Sequence, residues 1–239
     1  MPRHQGRHPD DDRLFAAEAL GPLRDASDDL SYLRTRGYAD EGALKLVGDR
    51  HQLTARQRRA IRGAACSEAA LAHRRAAALP PDQLAGRPLW IDGYNLLILL
   101  TTAQAGGPLL RGRAGALRDL AGLHSGYRPS EQTPALLALV HESVAPLAPA
   151  EVRWLLDQPI SRSGQLAALI AQTAADHGWP WRAETTPDPD VTLRAAPSDV
   201  VIATGDGGIL DHAQARWCDL AGFIIGRAVP DAWIVDWWG

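Results

Sequence analysis

The segment Pro88-Leu89-Trp90-Ile91-Asp92-Gly93-Tyr94-Asn95-Leu96-Leu97 constrains this chain more than any other stretch. An apolar run stops at a carboxylate, passes a glycine and an asparagine, and becomes apolar again. Read physically, a buried strand delivers one carboxylate to the rim of a sheet, and Gly93 turns the chain there. In open α/β sheets that rim, at the carboxyl ends of the strands, is where ligands bind. The pattern recurs at Asp199-Val200-Val201-Ile202-Ala203-Thr204-Gly205-Asp206-Gly207-Gly208, again a strand ending in a carboxylate with glycines behind it. Two such strands in one domain point to an acidic, metal-binding cluster.

The texture of the 239-residue chain divides it. Residues 1–12 are polar and read as a disordered tail. Residues 13–80 read as a small all-α module. Leu14, Phe15, Ala17 and Leu20–Leu23 mark one short helix, Leu30 and Leu33 a second that breaks at Gly37, and Ala43, Leu44, Leu46 and Val47 a third ending near Gly48. Thr54-Ala55-Arg56-Gln57 is a capping-box pattern and starts a fourth, running through Ile61 towards Leu71. Pro- and Gly-rich residues 81–88 form the linker. Beyond it, over residues 89–239, strand-like runs at Leu89–Ile91, Val152–Leu156, Trp181–Glu184, Val200–Ala203, Phe223–Ile225 and Trp233–Val235 alternate with helical stretches at Ala135–Val144, Gln165–His177 and Ile209–Ala221. That alternation predicts an α/β domain of three layers around a mainly parallel sheet. The Gly- and Arg-rich segment from Gly106 to Arg128 fits neither period.

Three of these strands end in aspartate: Asp92, Asp157 and Asp206. In a parallel sheet the ends share one edge, so the carboxylates converge. Asp190, after Pro187-Asp188-Pro189 and before Val191-Thr192-Leu193, is a fourth member; Asp199 and Asp211 are weaker ones, Asp199 capping or leading into its strand and Asp211 either capping the next helix or binding metal through water. Clustered carboxylates repel, and a hard divalent cation relieves the repulsion. Mg²⁺ or Mn²⁺ held by oxygen ligands can activate water and stabilise charge on a phosphodiester. Any one aspartate at a strand end is ordinarily a turn or capping residue; the set of four carries the metal reading.

Ile91-Asp92-Gly93-Tyr94-Asn95 resembles the opening motif of the NYN branch of the PIN-like nuclease superfamily, and Val200–Asp206 is similar to the strand and aspartate of its last acidic motif. The resemblance covers the chain from about Pro88 onward. It implies a Rossmann-like α/β/α fold and divalent-metal-dependent cleavage of RNA, with Asp92, Asp157, Asp190 and Asp206 as metal ligands and catalytic residues and Asn95 orienting Asp92 or touching substrate. The whole chain also resembles an uncharacterised prokaryotic family joining a helical N-terminal module to a PIN-like domain, with Ala43–Arg50 and Leu53–Arg58 as the N-terminal signature.

Other stretches carry weaker readings. Ser161 and Ser163, in Ser161-Arg162-Ser163-Gly164, either hold a phosphate at a helix N-terminus or simply cap it. Arg111, Arg113, Arg118, His124, Tyr127 and Arg128 either track a nucleic-acid backbone, with the tyrosine stacking a base, or form a solvated loop. Arg50, Arg56, Arg58, Arg59 and Arg62, spread over more than one helix face, read as a place for nonspecific RNA contact, with an internal Asp49–Arg50 ion pair as the alternative for Arg50. The helical module is a place for a protein partner, and the tryptophans Trp233, Trp237 and Trp238 close the core or a sheet edge, with a homo-oligomer contact as the lesser option. A net charge of -3 gives no global case for nucleic-acid binding. The histidines show no metal spacing, and the cysteines, Cys66 and Cys218, read as free thiols of a cytoplasmic protein with no membrane span. The leading expectation is a Mg²⁺- or Mn²⁺-dependent ribonuclease. An RNA-binding or adaptor protein on a decayed nuclease fold is the alternative. A haloacid-dehalogenase type of phosphatase ranks low, because Tyr94 stands where its second aspartate belongs.

Overall fold

The computed structural model describes residues 7–120 and 127–238. Its helices are α1 (Asp11–Leu14), α2 (Ala17–Thr35), α3 (Asp40–Arg50), α4 (Ala55–Ala64), α5 (Glu68–Ala77), α6 (Gly93–Gln104), α7 (Thr133–Val144), α8 (Ser163–His177), α9 (Pro189–Arg194), α10 (Gly207–Leu210) and α11 (Leu220–Ala228). Its strands are β1 (Pro88–Asp92), β2 (Leu109–Arg111), β3 (Leu117–Asp119), β4 (Glu151–Asp157), β5 (Trp181–Thr186), β6 (Val201–Ala203), β7 (Arg216–Cys218) and β8 (Ile234–Val235). No helix among the described residues is long and apolar enough to cross a membrane. The described parts of Met1–Ala76, Thr101–Gly122 and Asp231–Gly239 form one compact unit, and those of Ala77–Leu100 and Leu123–Pro230 form another.

The second unit is built on a parallel five-stranded sheet in the order β5-β4-β1-β6-β7. β1 lies at its centre. From there the chain builds outward to β4 and β5 on one side, then returns to place β6 and β7 on the other. The reversal falls between β1 and β6, which is where an open α/β sheet leaves a crevice at its carboxyl edge. Pairing of Asp92 with Leu155, of Asp157 with Thr186, and of Ala203 with both Ile91 and Cys218 sets the strand ends along that edge.

Two expected elements in this unit differ. Phe223–Ile225 is helical, within α11, because the Asp219 carboxylate caps the helix by accepting from the Gly222 N–H at 3.1 Å. The helix expected over Ile209–Ala221 is instead the short α10, the strand β7 and the start of α11. Arg216 fixes β7 by donating to the carbonyls of Ala77 and Ala78 at 2.9 and 2.8 Å, so Trp217 and Cys218 are buried in a strand.

The other unit begins with helices throughout residues 11–76. Its core joins Leu23, Leu30, Val47 and Ile61 to Leu110, Leu120, Val235 and Trp237. The segment from Gly106, which fits no helical or strand period, supplies the antiparallel pair β2 and β3, and β8 pairs parallel to β2. Residues 101–120 and 231–238 therefore fold with the N-terminal helices, although a linear division places them after the linker. Trp237 is buried in this core, in keeping with a core role for the C-terminal tryptophans.

Local signals hold in part here. Thr54 forms the capping box with Gln57 and starts α4. The helix stops at Ala64 rather than continuing to Leu71, because Ala65 is extended and Arg34 donates to the carbonyls of Arg62 and Ala65. The segment expected as a polar tail is only partly described. Residues 1–6 lie outside the described residues, but Asp11 opens α1 and is fully buried.

Burial of Asp11 explains one of the α4 arginines. Arg56 grips it through both oxygens, and the His8 N–H donates to it as well. The remaining arginines of this stretch are also engaged within the fold. Arg58 pairs with Asp49 at 2.9 Å and donates to the Leu53 carbonyl; Arg62 pairs with Asp40 at 2.9 Å; Arg50 faces Asp29 at 3.5 Å; Arg59 reaches the Leu120 carbonyl at 3.5 Å. These contacts tie helices together and give each arginine of the set a partner within the fold. Removing one partner of a buried pair leaves the other charge uncompensated, at about 3–5 kcal/mol. Arg56→Met should therefore lower stability by about 3 kcal/mol or more in urea unfolding, while Arg50→Met, at an exposed pair, should change it by less than about 1 kcal/mol.

Candidate active site

The edge begins with Asp92, the last residue of β1 and 8% exposed. The chain passes from strand to helix with no turn: α6 starts at Gly93. Gly93, expected to turn the chain, instead opens the helix directly and permits a close approach. A Cβ at Gly93 would meet Leu156 Cδ2 at 2.5 Å and the Leu155 carbonyl oxygen at 3.1 Å. The start of α6 is thereby laid against the end of β4.

Both oxygens of Asp92 are held. The Asn95 N–H donates to Oδ1 at 3.2 Å, and the Thr204 hydroxyl donates to Oδ2 at 2.8 Å. Thr204 Oγ1 in turn accepts from the Asp206 N–H at 3.0 Å. Asn95 turns its own side chain the other way, where its Oδ1 accepts from the Gly205 N–H at 2.9 Å. The strand ends β1 and β6 are thus tied by two cross-links, one through Thr204 and one through Asn95. Asn95, Thr204 and Gly205 also line a small cavity with Leu96, Ala203, Asp219, Leu220 and Ala221.

Burial pushes the Asp92 carboxyl up to about 7, against the hydrogen bonds from Thr204 and Asn95 and with the charges of Asp206 and Asp190 adding to the rise. Asp190, in the first turn of α9, is also raised, by burial and then by Asp206, Asp188 and Asp157, with Arg194 opposing. Asp157, at the end of β4, is raised by burial and by Asp188. The four expected carboxylates therefore share one electrostatic neighbourhood, and Asp188 belongs to it as well. Asp206 and Asp188 double as helix caps: Asp206 accepts from the Gly208 and Ile209 N–H groups, and Asp188 from the Val191 N–H. Among the described residues, the Asp157 and Asp190 carboxylates accept no hydrogen bond from another side chain, and no group of three or more His, Cys, Asp or Glu is gathered closely enough to hold a metal ion by itself.

The other expected site residues are placed elsewhere. Ser163 is buried and its hydroxyl donates to the Gln158 carbonyl at 3.1 Å; Ser161 is exposed in the preceding turn. Neither caps α8, whose N-cap is Arg162 in the left-handed region. Arg111 pairs with Asp236 at 3.0 Å, and Arg118 donates to the Gly63 carbonyl at 3.2 Å; both belong to the unit that holds the N-terminal helices. Arg128 is exposed in the sheet unit. Tyr127 is buried with its hydroxyl 2.6 Å from Thr133 Oγ1, so it is a core residue rather than a base-stacking platform. His124 lies outside the described residues. His141 and His177 stack on Trp179 at 4.1 and 4.9 Å, the structural role their spacing implies. Burial pushes the Cys218 thiol up to about 12, which leaves it unreactive.

Sequence reasoning missed Thr204, Asp188 and Tyr94 as members of the edge. Thr204 stands inside the very motif that identified Asp206, but its partner Asp92 is 112 residues away. Tyr94 is 4% exposed with a hydroxyl that has no hydrogen-bond partner, and burial followed by the charge of Asp157 pushes it up to about 12.

Fold and edge together define a parallel α/β domain with an acidic carboxyl edge, in a chain whose N-terminal region is helical. The chain belongs to the family described as Domain of unknown function (DUF5616), whose model matches residues 81–223. A second model, Protein of unknown function (DUF434), matches residues 22–76. The chain is also similar to an uncharacterized protein of Methanocaldococcus jannaschii, 23% identical over 195 residues that cover 82% of this chain and 92% of that one. No solved structure matches the chain.

Titration of Asp92 links the edge to stability. Its carboxyl is raised from 3.8 to about 7 on folding, so the folded state holds the proton more tightly. The stability it contributes is whole below pH 3.8 and is lost as pH rises through about 7. Asp92→Asn removes this dependence. Urea unfolding of the two proteins from pH 3.8 to 7 should show the variant gaining on the wild type as pH rises.

Proposed function

We propose that this chain is a divalent-cation-dependent hydrolase of RNA phosphodiester bonds, acting at the carboxyl edge of a PIN-like sheet. One observation carries the reading: Asp92, Asp157, Asp190 and Asp206, from four separate segments, bear on one another electrostatically at a single edge. Their donor chemistry fits a hard cation that keeps much of its water, such as Mg²⁺ or Mn²⁺, which needs only one or two direct carboxylates. It does not fit a dehydrated ion in a closed cage, since no three ligands are gathered among the described residues. Asp157 and Asp190, whose oxygens are least committed, are the direct ligands, and Asp92 and Asp206 act through water. RNA as the substrate rests on the resemblance of Ile91–Asn95 to the NYN motif.

When bound, the cation supplies charge to the phosphate and makes water a better nucleophile. The water oxygen bonds to phosphorus and the bond to the leaving ribose oxygen breaks. A carboxyl titrating near 7 can take up and release a proton at working pH. Asp92 has that property, and Thr204 and Asn95 hold its two oxygens so that it does not rotate away.

A second reading, a non-catalytic RNA-binding or adaptor protein, is favoured by the internal hydrogen bonds that already occupy Asp92 and Asp206. One experiment separates the two. End-labelled single-stranded RNA incubated with the protein should be cut with Mn²⁺ or Mg²⁺ and left whole with EDTA, and Asp92→Asn should lower the rate at least about 100-fold. RNA that is bound but not cut under any cation would favour the adaptor.

A further inference from the structure

Two groups at the acidic edge lack the partner each would take from the other. The Tyr94 hydroxyl is buried and has no hydrogen-bond partner. An unpaired buried hydroxyl is destabilising, and a phenylalanine of the same shape would avoid that cost. The second group is the Asp157 carboxylate, which accepts from its own backbone N–H and, among the described residues, from no other side chain. Its charge bears directly on the Tyr94 hydroxyl. The juxtaposition follows from Gly93. Because that residue has no Cβ, the start of α6 closes onto Leu155 and Leu156 of β4, and the next residue, Tyr94, is brought beside the strand end that carries Asp157.

We infer that Tyr94 is a positioning residue for Asp157, its hydroxyl being the donor that fixes the carboxylate when the acidic edge takes up a divalent cation. This rests on the cation-dependent reading of the edge. A carboxylate ligand is itself held by hydrogen bonds from neighbouring groups, and loss of such a neighbour typically weakens metal binding about 10–100-fold. Without a cation, the charge of Asp188 bears on Asp157, a repulsion that a cation at the edge relieves. Charge at the edge then favours the orientation in which Tyr94 donates.

The test compares wild type, Tyr94→Phe, Asp157→Asn and the double variant, each as the full chain. MnCl₂ affinity is read by calorimetry, and melting temperature is read in EDTA. Tyr94→Phe should melt no lower than wild type in EDTA, since it loses no bond, yet bind Mn²⁺ about tenfold more weakly. In the Asp157→Asn background the same change should cost nothing further, because the hydroxyl acts through the carboxylate. Unchanged Mn²⁺ affinity in Tyr94→Phe overturns the assignment while leaving the cation reading intact. A clearly lower melting temperature in EDTA also overturns it, because the hydroxyl would then be bonded in the resting fold. Failure of the wild type to bind Mn²⁺ at all removes the cation reading and this assignment with it.

Discussion

The Asp92 carboxylate sits at the end of the central strand of a parallel sheet, where only 8% of the residue meets solvent. A charge in that position is costly unless hydrogen bonds hold it. The fold meets the cost from two directions, with an N–H from the first turn of α6 and a hydroxyl from the end of β6. That pair of bonds determines much of the rest. It requires α6 to begin at once after β1, which requires Gly93 to lie against β4. It requires Thr204 to face β1, which brings Asp206 to the same edge as the cap of α10. The residual cost appears as a carboxyl that titrates near 7.

The crevice between β1 and β6 is a consequence of strand order rather than of any single side chain. A sheet ordered β5-β4-β1-β6-β7 must reverse direction next to its central strand, and helices leaving adjacent strand ends diverge there. Every carboxylate of the edge comes from a segment that leaves a strand of this sheet. Asp188 and Asp190 arrive on the short α9 after β5, Asp157 on β4 itself, and Asp206 after β6. Burial, and after it the charge of neighbouring carboxylates, raises Asp92, Asp157 and Asp190, while Asp188 and Asp206 also cap α9 and α10.

How much of this was legible in the sequence depended on the range of the interaction. Thr54 and Gln57 form a cap within one helical turn, and the pattern of four residues was enough to locate the start of α4. The acidic strand ends were legible because an apolar run stopping at Asp is itself local. The partners of the arginines are not legible for the opposite reason. Arg56 finds Asp11, 45 residues away, and Arg118 finds the Gly63 carbonyl, 55 away, so nothing beside them in sequence distinguishes an internal tie from a free cation. Phe223–Ile225 has the composition of a strand, and the cap that makes it helical, Asp219 with Gly222, was a signal available but unused. Residues 101–120 and 231–238 join the N-terminal helices through a core that no linear boundary can express.

The carboxylates of this edge share one electrostatic neighbourhood, and the proposed function has that edge receive a divalent cation. The most direct measurement follows the Asp92 carboxyl carbon by NMR through a pH titration, without and with excess Mg²⁺. Without the cation it should titrate near 7. Positive charge at the edge should then lower that midpoint by at least about one pH unit, and Asp157→Asn should blunt the effect. A midpoint that does not move when Mg²⁺ is added would contradict the account and leave Asp92 as a buried structural carboxylate.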